Sequence, residues 1–158
     1  MILNSIQTKL SKAVSVAKTQ YYKLIVLAED DEKKRARLIS DFAGSYGVDV
    51  INLNLHLSKR LLEKSAQKRV SALLEELRDI VAADATLVVL NHCEILFNKE
   101  LMNDPLKLLE NISRNRTILV AWPGKCRGGH LMYATPDHPE YRYYENPDIL
   151  IVSDSDAL

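Results

Sequence analysis

Leu24-Ile25-Val26-Leu27-Ala28 is followed at once by Glu29-Asp30-Asp31-Glu32 and then by Lys33-Lys34-Arg35. Five consecutive apolar residues are too few for a helix and are typical of a strand buried on both faces. The acidic turn can cap a helix and places negative charge at its N-terminal end, so a helix is predicted over 33–46. A buried strand that runs directly into a helix predicts the first half of a parallel βαβ unit.

Short apolar runs continue to alternate with helical patterns along the rest of the chain. Further strands are predicted at 49–53, 87–90, 117–122 and 149–152. Further helices are predicted at 3–18, 58–81 (with a weaker middle at 65–67 that can divide it) and 104–112, and a hairpin can join 131–133 to 141–143. The alternation predicts an α/β fold with a doubly wound, mostly parallel five-stranded sheet and helices on both faces.

Length and composition favour one globular domain over residues 1–158, with an N-terminal helix in 1–20 and a flexible tail at 153–158. The 21 basic and 21 acidic residues cancel, so no global field favours non-specific binding to DNA. Cys93 lies just past an apolar strand and is expected to be a free buried thiol. No apolar stretch approaches the ~20 residues that span a bilayer, and no signal peptide is apparent, so a cytoplasmic location is expected.

The strand, loop and helix around Lys34 have the layout of a phosphate-binding P-loop, G-x-x-x-x-G-K-[ST]. Only the lysine is present, because Ala28 and Lys33 stand at the glycine positions and Arg35 stands where a hydroxyl would hold magnesium. Four carboxylates in the loop would repel a polyanion. Two interpretations stay open: a capped helix start with solvated charges, and a site that binds ATP and magnesium through Lys34 and Arg35.

The strand 87–90 leads into Asn91-His92-Cys93-Glu94, where P-loop ATPases carry acidic residues that hold magnesium. Asn91 is neutral and can orient a water but cannot act as a base, so Asn91 and Glu94 are candidate catalytic residues only if the chain is an ATPase. No metal site is predicted, because His130 and His138 lack a carboxylate at ligand spacing and His92 is expected to be structural.

Three further sets of residues have a functional and a structural interpretation. Arg114, Asn115 and Arg116 can contact a partner, as arginine fingers do, or form a solvated helix end. Trp122 can stack on a ligand or meet a partner, or it can pack in the core. Arg60, Lys64 and Lys68 recur every four residues and can track a DNA backbone as one basic helical stripe, or form a solvated face.

Several short motifs between Tyr21 and Val152 resemble one protein family. They are VINLNL (50–55), LSKRLL (57–62), EILF (94–97), DPL (104–106), SRNRT (113–117), AWPG (121–124) and HPEY (138–141). This pattern resembles the BrxF family, the small P-loop-containing proteins of type III BREX phage-defence systems. SRNRT leading to AWPG is its most specific part.

The resemblance implies a P-loop NTPase-like (AAA+-like) core that serves as an accessory subunit of a complex that restricts phage DNA. It implies partners among the other BREX proteins, including a larger ATPase, with self-association and weak DNA contact as further expectations. The leading hypothesis is an NTPase-like module with a degenerate P-loop that acts through protein partners. The alternatives are an ATPase that uses Lys34, Asn91 and Glu94, and a subunit that contacts DNA through the basic stripe.

Overall fold

A computed structural model of the chain describes residues 5–82 and 86–153. Its α-helices are α1 (Ser5–Ala17), α2 (Glu32–Ser45), α3 (Leu53–Leu61), α4 (Ala66–Val81) and α5 (Pro105–Ile112). Its strands are β1 (Leu24–Ala28), β2 (Val50–Asn52), β3 (Leu87–Asn91), β4 (Thr117–Ala121), β5 (Lys125–Arg127), β6 (His130–Tyr133), β7 (Arg142–Tyr144) and β8 (Leu150–Ser153). Two short 3-10 helices, Glu94–Phe97 and Lys99–Leu101, follow β3.

Five strands form one sheet in the order β2-β3-β4-β1-β8, and every pair in it is parallel. The predicted five-stranded sheet is therefore confirmed, and it is wholly rather than mostly parallel. β1 lies between β4 and β8, and all five of its residues are buried. A separate antiparallel sheet, β5-β6-β7, contains the predicted hairpin and adds β5, which the sequence did not predict.

Successive side chains of β1 enter two different cores, because neighbouring residues of a strand point to opposite faces. Ile25 and Leu27 pack with α1 and α2 on one face of the sheet. Leu24 and Val26 pack on the other face with α3, α4, α5 and the 3-10 segments. Helices thus cover both faces, as predicted, and the arrangement is compatible with a doubly wound fold.

Capping side chains set two helix boundaries that periodicity alone placed elsewhere. The Asn52 side chain accepts a hydrogen bond from the Leu55 amide (3.0 Å), so α3 begins at Leu53, inside the predicted strand 49–53. The Ser65 hydroxyl accepts from the Lys68 amide (3.1 Å) and begins α4. The predicted helix 58–81 is therefore two helices, divided at the weak middle of the pattern.

The prediction of a tail from residue 153 is wrong at Ser153, which ends β8 and pairs with Ala28. Residues 154–158 and 1–4 lie outside the described residues, and the first helix ends at Ala17 rather than near residue 20. None of the helices in the described part of the chain is long and apolar enough to cross a membrane.

Candidate functional site

The carboxyl ends of β1, β3, β4 and β8 meet at one edge of the sheet, which we call the carboxyl edge, because the strands are parallel. Ligands of doubly wound sheets bind at this edge. The loop after β1 lines a small cleft there, of about 120 Å³, bounded by Ala28, Glu29, Asp30, Cys126, Arg127 and Ser153. The P-loop-like stretch therefore lies where a phosphate site would lie.

The N-terminus of α2 is capped by the chain's own carboxylate. Asp31 adopts an extended conformation, and its Oδ1 accepts hydrogen bonds from the Lys33 amide (3.0 Å) and the Lys34 amide (3.3 Å). Amides in this position are the groups that a P-loop offers to phosphate. The Asp31 carboxylate occupies them instead.

Glu29 holds the basic side chains that follow the loop. The Arg35 side chain is buried, and its guanidinium donates a hydrogen bond to the Glu29 carbonyl oxygen (2.8 Å). The Lys34 ammonium lies 3.5 Å from the Glu29 carboxylate, which also accepts from the Asp31 amide (3.0 Å). The two basic residues predicted to bind nucleotide are thus engaged within the loop itself.

Asp30 ties the same loop to the small antiparallel sheet. Its carboxylate accepts from both terminal nitrogens of Arg127, at 2.8 and 3.4 Å. The hydrogen bond from Arg127 holds the pKa of Asp30 below its usual value. Asp30 is therefore ionised at neutral pH and forms an ion pair with Arg127, which lines the same cleft.

These contacts do not fit magnesium-bound ATP. The described loop contains no glycine, carries no hydroxyl at Arg35 to hold magnesium, and presents its first helical amides to Asp31. A phosphate would have to displace a carboxylate and stand among Glu29, Asp30 and Glu32. The capped-helix interpretation of the sequence agrees with this geometry.

The segment after β3 makes a tight turn beside the start of α2. His92 has a left-handed backbone (φ 56°), its amide donates to the Asn91 side chain (2.9 Å), and its carbonyl accepts from the Asn54 amide (2.9 Å). The ligand atoms of Glu32, His92 and Glu94 all lie within 4.8 Å of one another. Sequence spacing missed this cluster, because its residues come from two segments that only the sheet topology brings together.

Trp122 is fully buried, which agrees with its packing interpretation and leaves no indole surface for a partner. Its indole nitrogen donates to the Met132 carbonyl (2.9 Å), and its ring packs edge-on against Phe97. The residue therefore joins the main sheet to the small antiparallel sheet. As a candidate interface residue, Trp122 therefore has no exposed side-chain surface in this chain.

Arg114, Asn115 and Arg116 lie at the opposite edge of the sheet, the amino edge, immediately before β4. Arg114 is exposed, and its guanidinium stands 4.0 Å above the centre of the Tyr21 ring. The Arg114 carbonyl accepts a hydrogen bond from the Lys23 ammonium (3.1 Å). An arginine finger here cannot reach this chain's own carboxyl edge, so it could act only on another molecule.

The predicted basic stripe is not continuous. Arg60 lies in α3, Lys64 in the connection and Lys68 in the first turn of α4. Arg60 pairs with Glu76 and Asp79, and the Lys64 ammonium lies 3.4 Å from Glu76. The break between helices and these carboxylates divide and partly neutralise the stripe.

Of the predicted site residues, Lys34, Arg35, Asn91 and Glu94 meet at the carboxyl edge, whereas the interface and DNA-binding candidates lie elsewhere. Cys93 is a free buried thiol, as predicted, and burial raises its pKa, so it is an unreactive core residue. The chain matches no model of a known protein family, no curated protein and no solved structure.

Proposed function

We propose that the protein is a cytoplasmic accessory subunit of a type III BREX phage-defence system, with a P-loop NTPase-like core that acts through protein partners. The system assignment rests on the resemblance carried by SRNRT (113–117), AWPG (121–124) and the shorter motifs. The NTPase-like type is supported by a buried β1 that leads into α2 at the carboxyl edge of a parallel sheet.

One observation carries the proposal of a non-catalytic role: the Asp31 carboxylate caps the amides of Lys33 and Lys34. An N-cap carboxylate stabilises the helix by itself and needs no nucleotide to satisfy these donors. These two amide donors thus have an acceptor in the absence of phosphate. A module of this kind retains the architecture of an NTPase, but its function depends on the surfaces that contact partner proteins.

The ATPase alternative has less support from the same contacts. Lys34 would have to leave the Glu29 carboxylate to reach a phosphate, and Asn91 would have to leave the His92 amide to orient water. Glu94 lies within 4.8 Å of the Glu32 carboxylate as well as of the His92 imidazole, and a second carboxylate at this position would repel a phosphate. The DNA-contacting alternative is weakened by the carboxylates that pair with Arg60 and Lys64.

Affinity purification from the native operon context tests the assignment. We expect the tagged protein to co-purify with other BREX proteins, including a larger ATPase, and we expect deletion of its gene to abolish phage protection. Wild-type protein should restore protection. A folded protein that recovers no BREX component and is dispensable for protection would contradict the assignment.

The Lys34→Ala variant separates the accessory role from the ATPase alternative. A P-loop lysine that contacts phosphate is indispensable for nucleotide-dependent function, whereas Lys34 here is a partly exposed residue paired with Glu29. We therefore expect Lys34→Ala to restore phage protection to the deletion strain as well as the wild type does. Loss of protection by a stably folded variant would favour the ATPase.

A further inference from the structure

Three metal-ligating side chains converge at the carboxyl edge outside the phosphate-loop contacts. Glu32 is the first residue of α2, and His92 and Glu94 follow β3. On its way from β1 to β2, α2 crosses over the positions of β4 and β3, which brings its first residue beside the end of β3. One ligand atom from each residue lies within 4.8 Å of the other two.

The three side chains are uncommitted, unlike their neighbours. Within residues 5–82 and 86–153, no hydrogen bond or ion pair engages the carboxylate of Glu32, the imidazole of His92 or the carboxylate of Glu94. By contrast, Glu29 and Asp31 are each bound to groups of the loop. Two carboxylates at this separation repel each other. A cation bound between them attracts both, so the net electrostatic energy of the cluster becomes favourable.

The turn after β3 holds His92 in place before any ion arrives. Its amide donates to the Asn91 side chain, and its carbonyl accepts from the first turn of α3 at Asn54. Glu94 begins a 3-10 helix whose Leu96 and Phe97 are buried, so the backbone on that side is anchored as well. Two of the three ligands thus stand on a fixed scaffold.

We propose that Glu32, His92 and Glu94 bind a divalent transition-metal ion such as Zn²⁺. An imidazole nitrogen with two carboxylate oxygens suits zinc and its neighbours, whereas magnesium and calcium prefer oxygen alone. Three protein ligands leave a fourth position of a tetrahedral ion for water or for a group of a partner. Glu32 is exposed, so this fourth position is reached from solvent.

Bound metal would also connect two parts of the fold. The ion would link the start of α2 to the segment after β3, whereas the cores of the described residues join only the later part of α2 (Leu38–Ala43) to β3. Because the metal binds the native arrangement, it stabilises the folded state by mass action. The proposal does not depend on the phage-defence assignment or on nucleotide.

Calorimetric titration of the full chain, stripped of metal by a chelator and dialysed, tests the site with Zn²⁺ as the probe. We expect one ion per chain with a dissociation constant of about 10 µM or below, and a higher melting temperature in its presence. Glu32→Gln, His92→Asn and Glu94→Gln should each weaken binding about tenfold or more, since even outer-shell changes cost that much. Asn tolerates the left-handed backbone at position 92.

His56→Asn and Glu63→Gln are the matched controls, because both residues are exposed and lie outside the cluster. They should bind Zn²⁺ as the wild type does. Co²⁺ bound to the wild type should show visible absorption bands that the three ligand variants lose. Absence of saturable one-to-one binding, or equal binding by wild type and ligand variants, would overturn the proposal. If His92→Asn fails to fold, Glu32→Gln decides alone, because that side chain is at the surface.

Discussion

At the scale of single residues, Asp31 decides what the loop after β1 can do. We expect Asp31→Ala to lower the free energy of unfolding by about 1 kcal/mol, because two helical amides lose their acceptor. Asp31→Asn retains a capping oxygen, so it should lower the free energy of unfolding by much less, about a few tenths of a kcal/mol. Urea denaturation measures both variants, and an equal loss in both would show that the charge rather than the cap matters.

Nucleotide binding depends on the same residue and its neighbours. We expect ATP with magnesium to bind no tighter than about 1 mM, a free energy near 4 kcal/mol, because phosphate would meet Glu29, Asp30 and Asp31. Titration calorimetry measures this, and the heat should be unchanged in Lys34→Ala. A micromolar constant that Lys34→Ala abolishes would contradict the expectation and support the ATPase.

The sequence identified Lys34 and Arg35 as the residues at the phosphate position but could not show where their side chains turn. Rotamers depend on which acceptors the fold brings near, and here Glu29 supplies both. The Glu32, His92 and Glu94 cluster was unpredictable for a related reason. Its spacing exists only in the folded sheet, and His92 alone gave no ligand pattern.

At the scale of elements, a single glycine governs how the small antiparallel sheet packs on the main one. A Cβ at Gly124 would stand 1.9 Å from the Met132 carbonyl oxygen and 2.9 Å from Tyr133 Cα. The same backbone carbonyl accepts the Trp122 indole hydrogen bond, so it cannot shift freely. We expect Gly124→Ala to cost about 2 kcal/mol or more in free energy of unfolding.

Gly44→Ala is the matched control, because Gly44 lies in α2 and a Cβ there meets nothing within 4 Å. Replacing a helical glycine by alanine should stabilise the protein by about 0.5–1 kcal/mol. Chemical denaturation of the two variants should give effects of opposite sign. A destabilising Gly44→Ala would contradict the helical assignment at that position.

The helices α3 and α4 carry the basic residues considered for DNA binding. Because Arg60 and Lys64 are paired with carboxylates, we expect DNA binding at physiological salt to be weaker than about 1 µM. Reversing Arg60, Lys64 and Lys68 to glutamate should reduce whatever binding remains. Fluorescence anisotropy measures the affinity for DNA. Nanomolar binding that survives all three reversals would show that these residues do not carry DNA binding.

Continuous apolar runs made the central strands predictable, since β1, β3 and β4 are buried on both faces and carry an unbroken signal. β5 was missed because Lys125 and Arg127 are exposed and only Cys126 is partly buried, so no run or alternation marked it. The start of α3 was misplaced because Leu53 resumes the apolar pattern of Val50 and Ile51, whereas the Asn52 side chain between them caps α3 and ends the strand. Local side-chain contacts, rather than periodicity, set such boundaries.

At the scale of the whole molecule, the parallel sheet separates two surfaces. The carboxyl edge carries the capped loop and the Glu32, His92 and Glu94 cluster, and the amino edge carries Arg114, Asn115 and Arg116. β4 spans the five residues between the edges, a distance of about 16 Å. A partner that contacts the amino edge therefore leaves the carboxyl edge open.

The arginine pair at the amino edge should matter for assembly more than for folding. Arg114 lies over the exposed Tyr21 ring, a contact worth about 0.5–1 kcal/mol, so the loss of stability on truncation should stay near that size. An arginine anchored in an interface instead costs about 2 kcal/mol or more of binding energy when removed. We expect Arg114→Ala, Arg116→Ala to melt close to wild type, fail to join its complex and lose phage protection.

Lys33→Ala, Arg37→Ala is the matched control, because it removes two positive charges from exposed positions of α2 at the other side of the fold. This control should melt at the wild-type temperature, co-purify with the complex and protect against phage as the wild type does. The loss of positive charge alone would then not explain the defects of the arginine variant. Thermal denaturation, co-purification and phage plating measure the three properties in both double variants. A grossly unfolded arginine variant would make the pair structural, through side-chain contacts such as that of Arg114 with the Tyr21 ring. A folded and fully protective one would make the pair a solvated helix end, because an anchored interface cannot lose two arginines without losing affinity.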